Sequence, residues 1–325
     1  MADHEESSPR QKRPASAGRG GGVLLIIPSL GGPRLERCLD AVAALEPSPD
    51  LTMVVLSGGA EAPPRRDGVE ALQFARRLGF TGAVNAALAE AGEADRIALV
   101  NDDADPVPNW LGELCARLDS EPRLAAVQGT VVDPAQSQVD GRGISLDRFG
   151  LPIQIDRGLQ FVDEVGSLRE ILAVSATASV LRGSAVREAS IFGNAIFDPR
   201  FGSYHEDLDL GLRLRRLGWS AAWVGGIPTR HLGSATGQRL RWRHPWWLLA
   251  NRWRALAGNL TRLALLRALP ALIRGELRAV NTLIRSNPRT AFVAPAATLS
   301  LPWIITSSWR RVTPGPRLSA LPGAS

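Results

Sequence analysis

The amino-acid sequence predicts an α/β protein, a mostly parallel sheet flanked by helices, extended at its C-terminus by a helical, basic region. Three features carry that expectation. Short, continuous apolar runs alternate with helical stripes over residues 23–100, an acidic cluster follows directly on the last of those runs, and the charge divides abruptly near residue 236.

With 45% hydrophobic and 22% charged residues the chain sits in the globular range, which excludes wholesale disorder and a polytopic membrane protein. Cys38 and Cys115 have no C-x-x-C spacing, so neither a disulfide framework nor a structural zinc site is expected; both read as small buried hydrophobes. The net charge of +6 conceals a split. Residues 236–325 hold fourteen arginines against a single acid, Glu276, so that region carries +13 and the rest of the chain −7. Six of the nine tryptophans, Trp242, Trp246, Trp247, Trp253, Trp303 and Trp309, lie there too, which assigns catalysis and attachment to separate segments.

Residues 1–22 are polar, rich in Ser, Pro, Arg and Gly, and hold no apolar stretch of the kind a secretory signal needs. A disordered leader and a cytoplasmic catalytic domain over 23–235 are expected. Val23–Ile27 is bounded by Gly22 and Pro28, as a fully buried parallel strand is. Pro33 to Leu45 then places Leu35, Cys38, Leu39, Val42 and Leu45 on one helical stripe. Leu51–Leu56 is a second strand, closing at Ser57, Gly58 and Gly59, and Ala71–Ala75 is a weaker third. A helix over 82–91 and a fourth strand over Ile97–Val100 complete a βαβ alternation, hence the parallel sheet. Ligands of such sheets bind beyond the carboxyl ends of the strands, where the loops at Pro28, Ser57 and Asn101 converge. Residues 128–170 have no clear period and read as an inserted loop region, and Ile171–Leu181 reads as a further strand. No repeat of solenoid length is present.

Two acidic clusters bear chemistry. Asn101, Asp102, Asp103, Ala104 and Asp105 follow a buried strand directly, so carboxylates project into the ligand crevice; such hard oxygen ligands suit Mg²⁺ or Mn²⁺ holding a diphosphate. The same residues also make a good Asp-rich turn capping a helix over Trp110–Leu118. His205, Glu206, Asp207, Leu208 and Asp209 open a second helix whose last turn carries Arg213, Arg215 and Arg216 ahead of Gly218. Its acids suit either catalysis or the helix dipole. His231 lies in a loop after the strand-like Ala221–Val224, as a metal ligand or an ordinary hydrogen-bonded histidine.

Read together, VLLIIPSLGGPRLERCLDAVAAL, LGFTGAVNAALAEA, IALVNDDADPVPNWL, FGSYHEDLDLGLRLRRLGW and HLGSAT resemble, in order, the inverting glycosyltransferase family 2. The resemblance is to its rhamnosyltransferase-like branch of bacterial polysaccharide synthesis and covers Val23 to about Thr236. It implies the GT-A fold and a nucleotide diphosphate sugar donor held by Pro28, Ser29, Ser57, Gly79, Asn85, Asn101, Asp102 and Asp103. It implies a divalent ion, Mn²⁺ or Mg²⁺, on Asp103 with Asn101 and His231, and Asp207 as the base with Glu206 beside it. Two positions depart from the family. Ser57, Gly58 and Gly59 stand where an Asp usually holds the nucleotide base, and Arg77 stands where an Asn often precedes Leu-Gly-Phe. Those departures leave room for a catalytically silent glycan or nucleotide-sugar binding protein of the same fold. A nucleotidyltransferase would need a Gly-rich phosphate loop with Lys after the first strand, which Ser29–Pro33 lacks.

The region 236–325 predicts Leu-rich helices interrupted by Arg, with a kink at Pro270 and tryptophans at their edges. Such helices lie in the headgroup layer of anionic membranes and suit a glycan or polyprenyl-linked acceptor on the cytoplasmic face of a bacterial membrane. The alternative is a helical subdomain packed on the catalytic core. Residues 290–309 are uncharged for twenty positions but contain Pro295 and Pro302, so shallow or buried placement is expected rather than a span. No nucleic-acid partner is expected, since no recognised module accompanies the basic region and the catalytic part is acidic.

Overall fold

The computed structural model describes residues 22–322 apart from 194, 234–242, 287 and 289. Most of the expected leader, the boundary expected at 235/236 and Trp242 therefore lie outside the described residues.

At the centre of a ten-stranded sheet, β1 (Val23–Ser29) runs parallel to β2 (Leu51–Ser57) on one side and β4 (Arg96–Val100) on the other, and β3 (Val69–Phe74) extends the parallel set beyond β2. Past β4 come β11 (Ala178–Arg182), antiparallel, then β6 (Leu124–Val132), β12 (Ser220–His231) and β10 (Leu168–Ile171). Strands β1 to β4, β6 and β12 share one direction, so the sheet is mostly parallel. Two short strands are added at its rim, β5 (Ala104–Pro106) on the end of β12 and β7 (Val139–Gly141) on β6. A ribbon of β8 (Ile144–Leu146) and β9 (Pro152–Gln154) stands apart.

The apolar run of β1 is continuous because both faces of the sheet are covered. Val23, Leu25 and Ile27 pack under α1 (Pro33–Ala43) and α3 (Trp110–Ser120), while Leu24 and Ile26 pack under α2 (Gly79–Ala91), α4 (Gly183–Glu188) and α5 (Glu206–Arg216). Burying each of these Leu and Ile side chains contributes roughly 1.5–3 kcal/mol.

Two expectations need correction. The inserted loop region begins later than residue 128, because Gln128 to Val132 complete the fully buried β6. Gln128 is accommodated there by accepting from the Ser175 amide at 2.5 Å and donating to the Gly129 carbonyl. The strand expected over Ile171–Leu181 forms only from Ala178, as β11; Ile171 is the last residue of β10, and between them the chain turns into the cavity at Ser175 to Thr177. Cys38 is fully buried, whereas Cys115 is only half-buried.

The C-terminal region forms α6 (Arg243–Asn259), α7 (Arg262–Ser286), α8 (Thr290–Leu299) and α9 (Leu301–Trp309). Pro270 sits inside α7 without ending it. Trp253, Leu256 and Leu260 share a core with Leu208 and Leu212 of α5, so these helices pack on the element that carries the second acidic cluster. The tryptophans are not all peripheral: Trp253 is buried with its indole N–H on Glu276 at 2.8 Å, and of those described Trp303 is the most exposed. No single helix among the described residues is long and apolar enough to cross a membrane. Helices α8 and α9 reach that length and hydropathy only as a pair bent by 50°.

Candidate active site

From β1 the chain proceeds to β2 and β3 on one side and returns to β4 on the other, so the strand order reverses at β1 and β4. A crevice opens where their carboxyl ends part. There the Ser29 hydroxyl donates to Asp102 Oδ2 at 2.6 Å and accepts from the Gly31 amide at 2.9 Å. Burial raises the Asp102 carboxyl above its usual range, opposed by that serine.

Sheet register brings the next residues together. Antiparallel pairing of β5 with β12 sets His231 opposite Ala104, and the Leu232 amide donates to the Asp103 carbonyl at 3.0 Å. His231 Nε2 consequently lies 3.3 Å from Asp103 Oδ1, while its Nδ1 lies 2.7 Å from Asp140 Oδ2 on β7. Burial, which lowers the imidazole pKa, is outweighed by the hydrogen bonds to Asp103 and Asp140, which raise it to about 9. Arg34, from the first turn of α1, places Nη1 3.5 Å from Asp103 Oδ2. Asp105 takes no part, since Arg37 pairs with it away from this cluster.

The second acidic cluster arrives on the N-terminus of α5, where the helix dipole favours negative charge. Burial pushes Asp207 up to about 6, opposed by backbone amides including Leu208 N–H at 2.8 Å from Oδ1. Burial and the neighbouring Asp207 hold Glu206 well above the carboxylate range, and its Oε2 has no hydrogen-bond partner among the described residues. Just ahead, Tyr204 and His205 have φ of 71° and 65°, a left-handed conformation costing on the order of 1 kcal/mol or more per residue outside glycine. Asn251 of α6 holds this turn: its fully buried amide donates to the carbonyls of Phe201, Ser203 and Tyr204 at 2.8, 2.9 and 2.9 Å. Glycine is required on the other side. A Cβ on Gly79, itself at φ 71°, would lie 2.7 Å from the Gly202 carbonyl oxygen, and the Thr81 amide donates to that same oxygen at 3.1 Å.

Pro28, Ser29, Ser57, Gly79, Asn101, Asp102, Asp103, Glu206, Asp207 and His231 all line one cavity of about 1640 Å³. Asn85 does not. Its amide is spent on the Phe197 backbone, donating at 2.8 Å and accepting at 3.1 Å, so it fastens α2 to the loop before α5. The two departures from the family pattern meet in the cavity wall, where Arg77 lies over Gly58, its Cγ 3.0 Å from where a Cβ on that glycine would stand. Sequence reasoning missed Asp140, Arg34 and Asn251. Asp140 sits in an irregular stretch and gives no signal. Arg34 is a cation in the first turn of a helix, where the dipole disfavours it, and Asn251 is a poor helix former in a helix interior; both are weak signals of a special role.

Solved structures share the fold. GalNAc-T7 with UDP, GalNAc and Mn²⁺ superposes with a TM-score of 0.52 at 12% identity, over 73% of this chain and 50% of that one. The mannosyltransferase PcManGT of Pyrobaculum calidifontis, in complex with GDP-Man and Mn²⁺, gives 0.50 at 16% identity over 92% and 88%. The fold is thus the GT-A α/β fold with C-terminal helices. In sequence, N-acetylglucosaminyl-diphospho-decaprenol L-rhamnosyltransferase of Mycobacterium tuberculosis, found in strains CDC 1551 and H37Rv, is 26% identical over 285 residues, 76% of this chain and 92% of the relative. The sequence model of the glycosyl transferase family group 2 matches residues 97–307, the stretch holding both acidic clusters, His231 and most of the C-terminal helices. The chain therefore belongs to the glycosyl transferase family group 2.

Proposed function

We propose that the chain is an inverting, divalent-metal-assisted glycosyltransferase. It moves a sugar from a nucleoside diphosphate donor to a polyprenyl-linked glycan in cell-wall or surface polysaccharide synthesis, at the cytoplasmic face of a bacterial membrane. The observation that carries the reading is the shared cavity, in which the carboxylate of Asp207 faces the same space as the Asp103–His231 pair. The mycobacterial relative's name suggests L-rhamnose as the sugar and a diphospho-polyprenol N-acetylglucosamine as the acceptor.

Mn²⁺ or Mg²⁺ fits the residues present. Asp103 offers a hard carboxylate, His231 an imidazole nitrogen steered toward it by Asp140, and Asn101 an amide at the cavity wall. Among the described residues no group of three or more His, Cys, Asp or Glu is placed to hold a metal ion by itself, so a bound ion would draw further oxygen ligands from the donor diphosphate. When bound, the ion neutralises charge developing on the departing diphosphate.

The chain's own residues do the rest. Asp207 accepts the proton of the acceptor hydroxyl as that oxygen attacks the anomeric carbon in line with the leaving diphosphate; one bond forms as the other breaks, and the configuration inverts. Raised to about 6, Asp207 is ionised at neutral pH yet a stronger base than an ordinary carboxylate. Burial and Asp207 raise the Glu206 carboxyl well above the usual range, which favours its protonated form and keeps a second negative charge from crowding Asp207. Arg34 adds a fixed cation beside Asp103, and Arg77 supplies donor groups for nucleobase carbonyls where a carboxylate is absent.

The test is turnover of a panel of nucleoside diphosphate sugars, an L-rhamnosyl donor first, in EDTA and after Mn²⁺ or Mg²⁺ is restored, with the product anomer read by NMR. One donor should turn over with inversion and only with metal. Binding without turnover across the panel would favour the silent binding protein, and retention of configuration would remove Asp207 as base.

A further inference from the structure

Helix α7 has two apolar faces, and the fold uses one. Ala264, Leu265, Leu272 and Gly275 are buried against the molecule. On the opposite side Leu263, Leu266, Ile273 and Leu277 are 55%, 62%, 49% and 67% exposed and, with exposed Pro270, recur at intervals of three and four, forming a continuous ridge. A ridge from Leu263 to Leu277 is about 21 Å long at 1.5 Å per residue. Along one edge of it Arg267, Arg274, Arg278 and Arg285, at intervals of seven, four and seven, form a single exposed row. None of the four pairs with an acid among the described residues, and the guanidinium of Arg278 lies 4.0 Å over the Phe149 ring. The one acid of the region, Glu276, is buried against Trp253 and Arg252, so nothing acidic breaks the positive edge.

We propose that this face of α7 docks the protein on an anionic bilayer, the ridge entering the headgroup layer and the arginine row binding lipid phosphates. Charge complementarity selects that occupant. A row of cations beside an apolar ridge matches a surface that offers phosphate at the rim and hydrocarbon beneath it, and long arginine side chains reach the one while their neighbours enter the other. A second copy of the chain is opposed by the same row, since a two-fold contact between ridges would bring two sets of like charges together with no acid to offset them. The inference deepens the reading of a lipid-linked acceptor by naming the surface that meets the membrane, and rests on that reading only for its purpose.

The test is co-sedimentation of the full chain with vesicles of phosphatidylcholine alone and of a two-to-one mixture with phosphatidylglycerol. The vesicles contain neither donor nor acceptor, so failure here leaves the transferase reading standing and failure of transfer leaves docking standing. Wild type should prefer the mixed vesicles and lose that preference in high salt. The triple variant R267Q/R274Q/R285Q should bind them on the order of a hundredfold more weakly. Leu266→Ser with Ile273→Ser should weaken binding with unchanged circular dichroism and unfolding temperature, because both side chains are exposed. Absence of sedimentation by wild type, equal binding to both vesicle types, or ridge variants that bind as wild type would overturn the proposal. So would a wild-type dimer that the ridge variants convert to monomer, which would make the face a self-interface.

Discussion

Arg311 joins the C-terminal region to the helix that presents Glu206 and Asp207, and Arg311→Leu measures how firmly. Its side chain is 1% exposed, with Nη1 3.2 Å from Asp198 Oδ2 and 3.0 Å from Asp209 Oδ2, and Nη2 2.6 Å from Asp209 Oδ1. Without it neither acid is orphaned. Asp209 keeps Arg213 at 3.0 Å and the Asn259 amide at 2.8 Å, and Asp198 keeps Arg200 at 2.6 Å. Breaking a buried pair costs about 3–5 kcal/mol, and the surviving partners place this case at the lower end, about 3 kcal/mol. For a chain of 325 residues that lowers Tm by roughly 4–5 °C. The effect must also depend on pH. Burial raises both carboxyls, but Arg311 and the other arginines more than offset it and leave Asp198 and Asp209 below their usual range. A depressed carboxylate contributes stability that is present above its unfolded value of about 4 and lost as the pH falls through the folded one. Urea denaturation at pH 7 and at about pH 2.5, below the unfolded value, reads both. A loss under about 1 kcal/mol at pH 7, or a wild-type advantage that does not shrink on acidification, would refute the reasoning.

Asp207→Asn should lower kcat by about a hundredfold or more while leaving donor affinity in place, and wild-type kcat/KM should rise with pH through about 6, since the ionised carboxylate is the active form. An activity flat from pH 5 to 8 would contradict the assignment. In metal-stripped protein the raised pKa of His231, about 9, contributes stability that is fully present below its unfolded value of about 6.5 and lost as the pH rises through 9. His231→Ala should therefore destabilise more at pH 6 than at pH 10, by on the order of 3 kcal/mol at most; equal losses at both would count against it. Asn251→Ala removes an amide whose two N–H groups are shared among three carbonyls of a turn with two left-handed residues and should cost about 2–3 kcal/mol, with kcat falling more than donor affinity. Unchanged kcat in a destabilised variant would make Asn251 purely structural.

The parallel half of the sheet was legible because β1, β2 and β4 are covered on both faces and so read as unbroken apolar runs. The helix at Glu206 was legible because its acids and arginines sort to opposite ends. Strand β6 was not read from the sequence: Gln128 interrupts its apolar run, and that amide is satisfied by Ser175, a partner 47 residues away that no local pattern reveals. The same limit explains the site. Asp102, Asp103 and the Glu206–Asp207 pair follow a strand end and a helix start, both visible locally, and a family resemblance linked them to His231. What sets His231 beside Asp103 is the pairing of β5 with β12, and what steers its ring is Asp140 in a stretch with no periodicity. Composition split the chain into a catalytic and a basic part. Packing then drew Asn251 and Arg311 of the basic part into the support of the acidic cluster, because helix α5 buries its remaining face against them. Asn85 came from the resemblance alone, and no local pattern shows that its amide bonds the backbone of Phe197, 112 residues away.

Titration of Mn²⁺ into the protein with and without a nucleoside diphosphate, followed by electron paramagnetic resonance, reaches the central claim most directly. Wild type should bind the ion weakly alone and at least tenfold more tightly with the diphosphate, Asp103→Asn should abolish that binding, His231→Ala should weaken it, and Asp207→Asn should leave it intact. An Asp103→Asn protein that binds Mn²⁺ as wild type does, or an Asp207→Asn protein that loses it, would contradict the separation of metal-binding and proton-accepting roles on which the account stands.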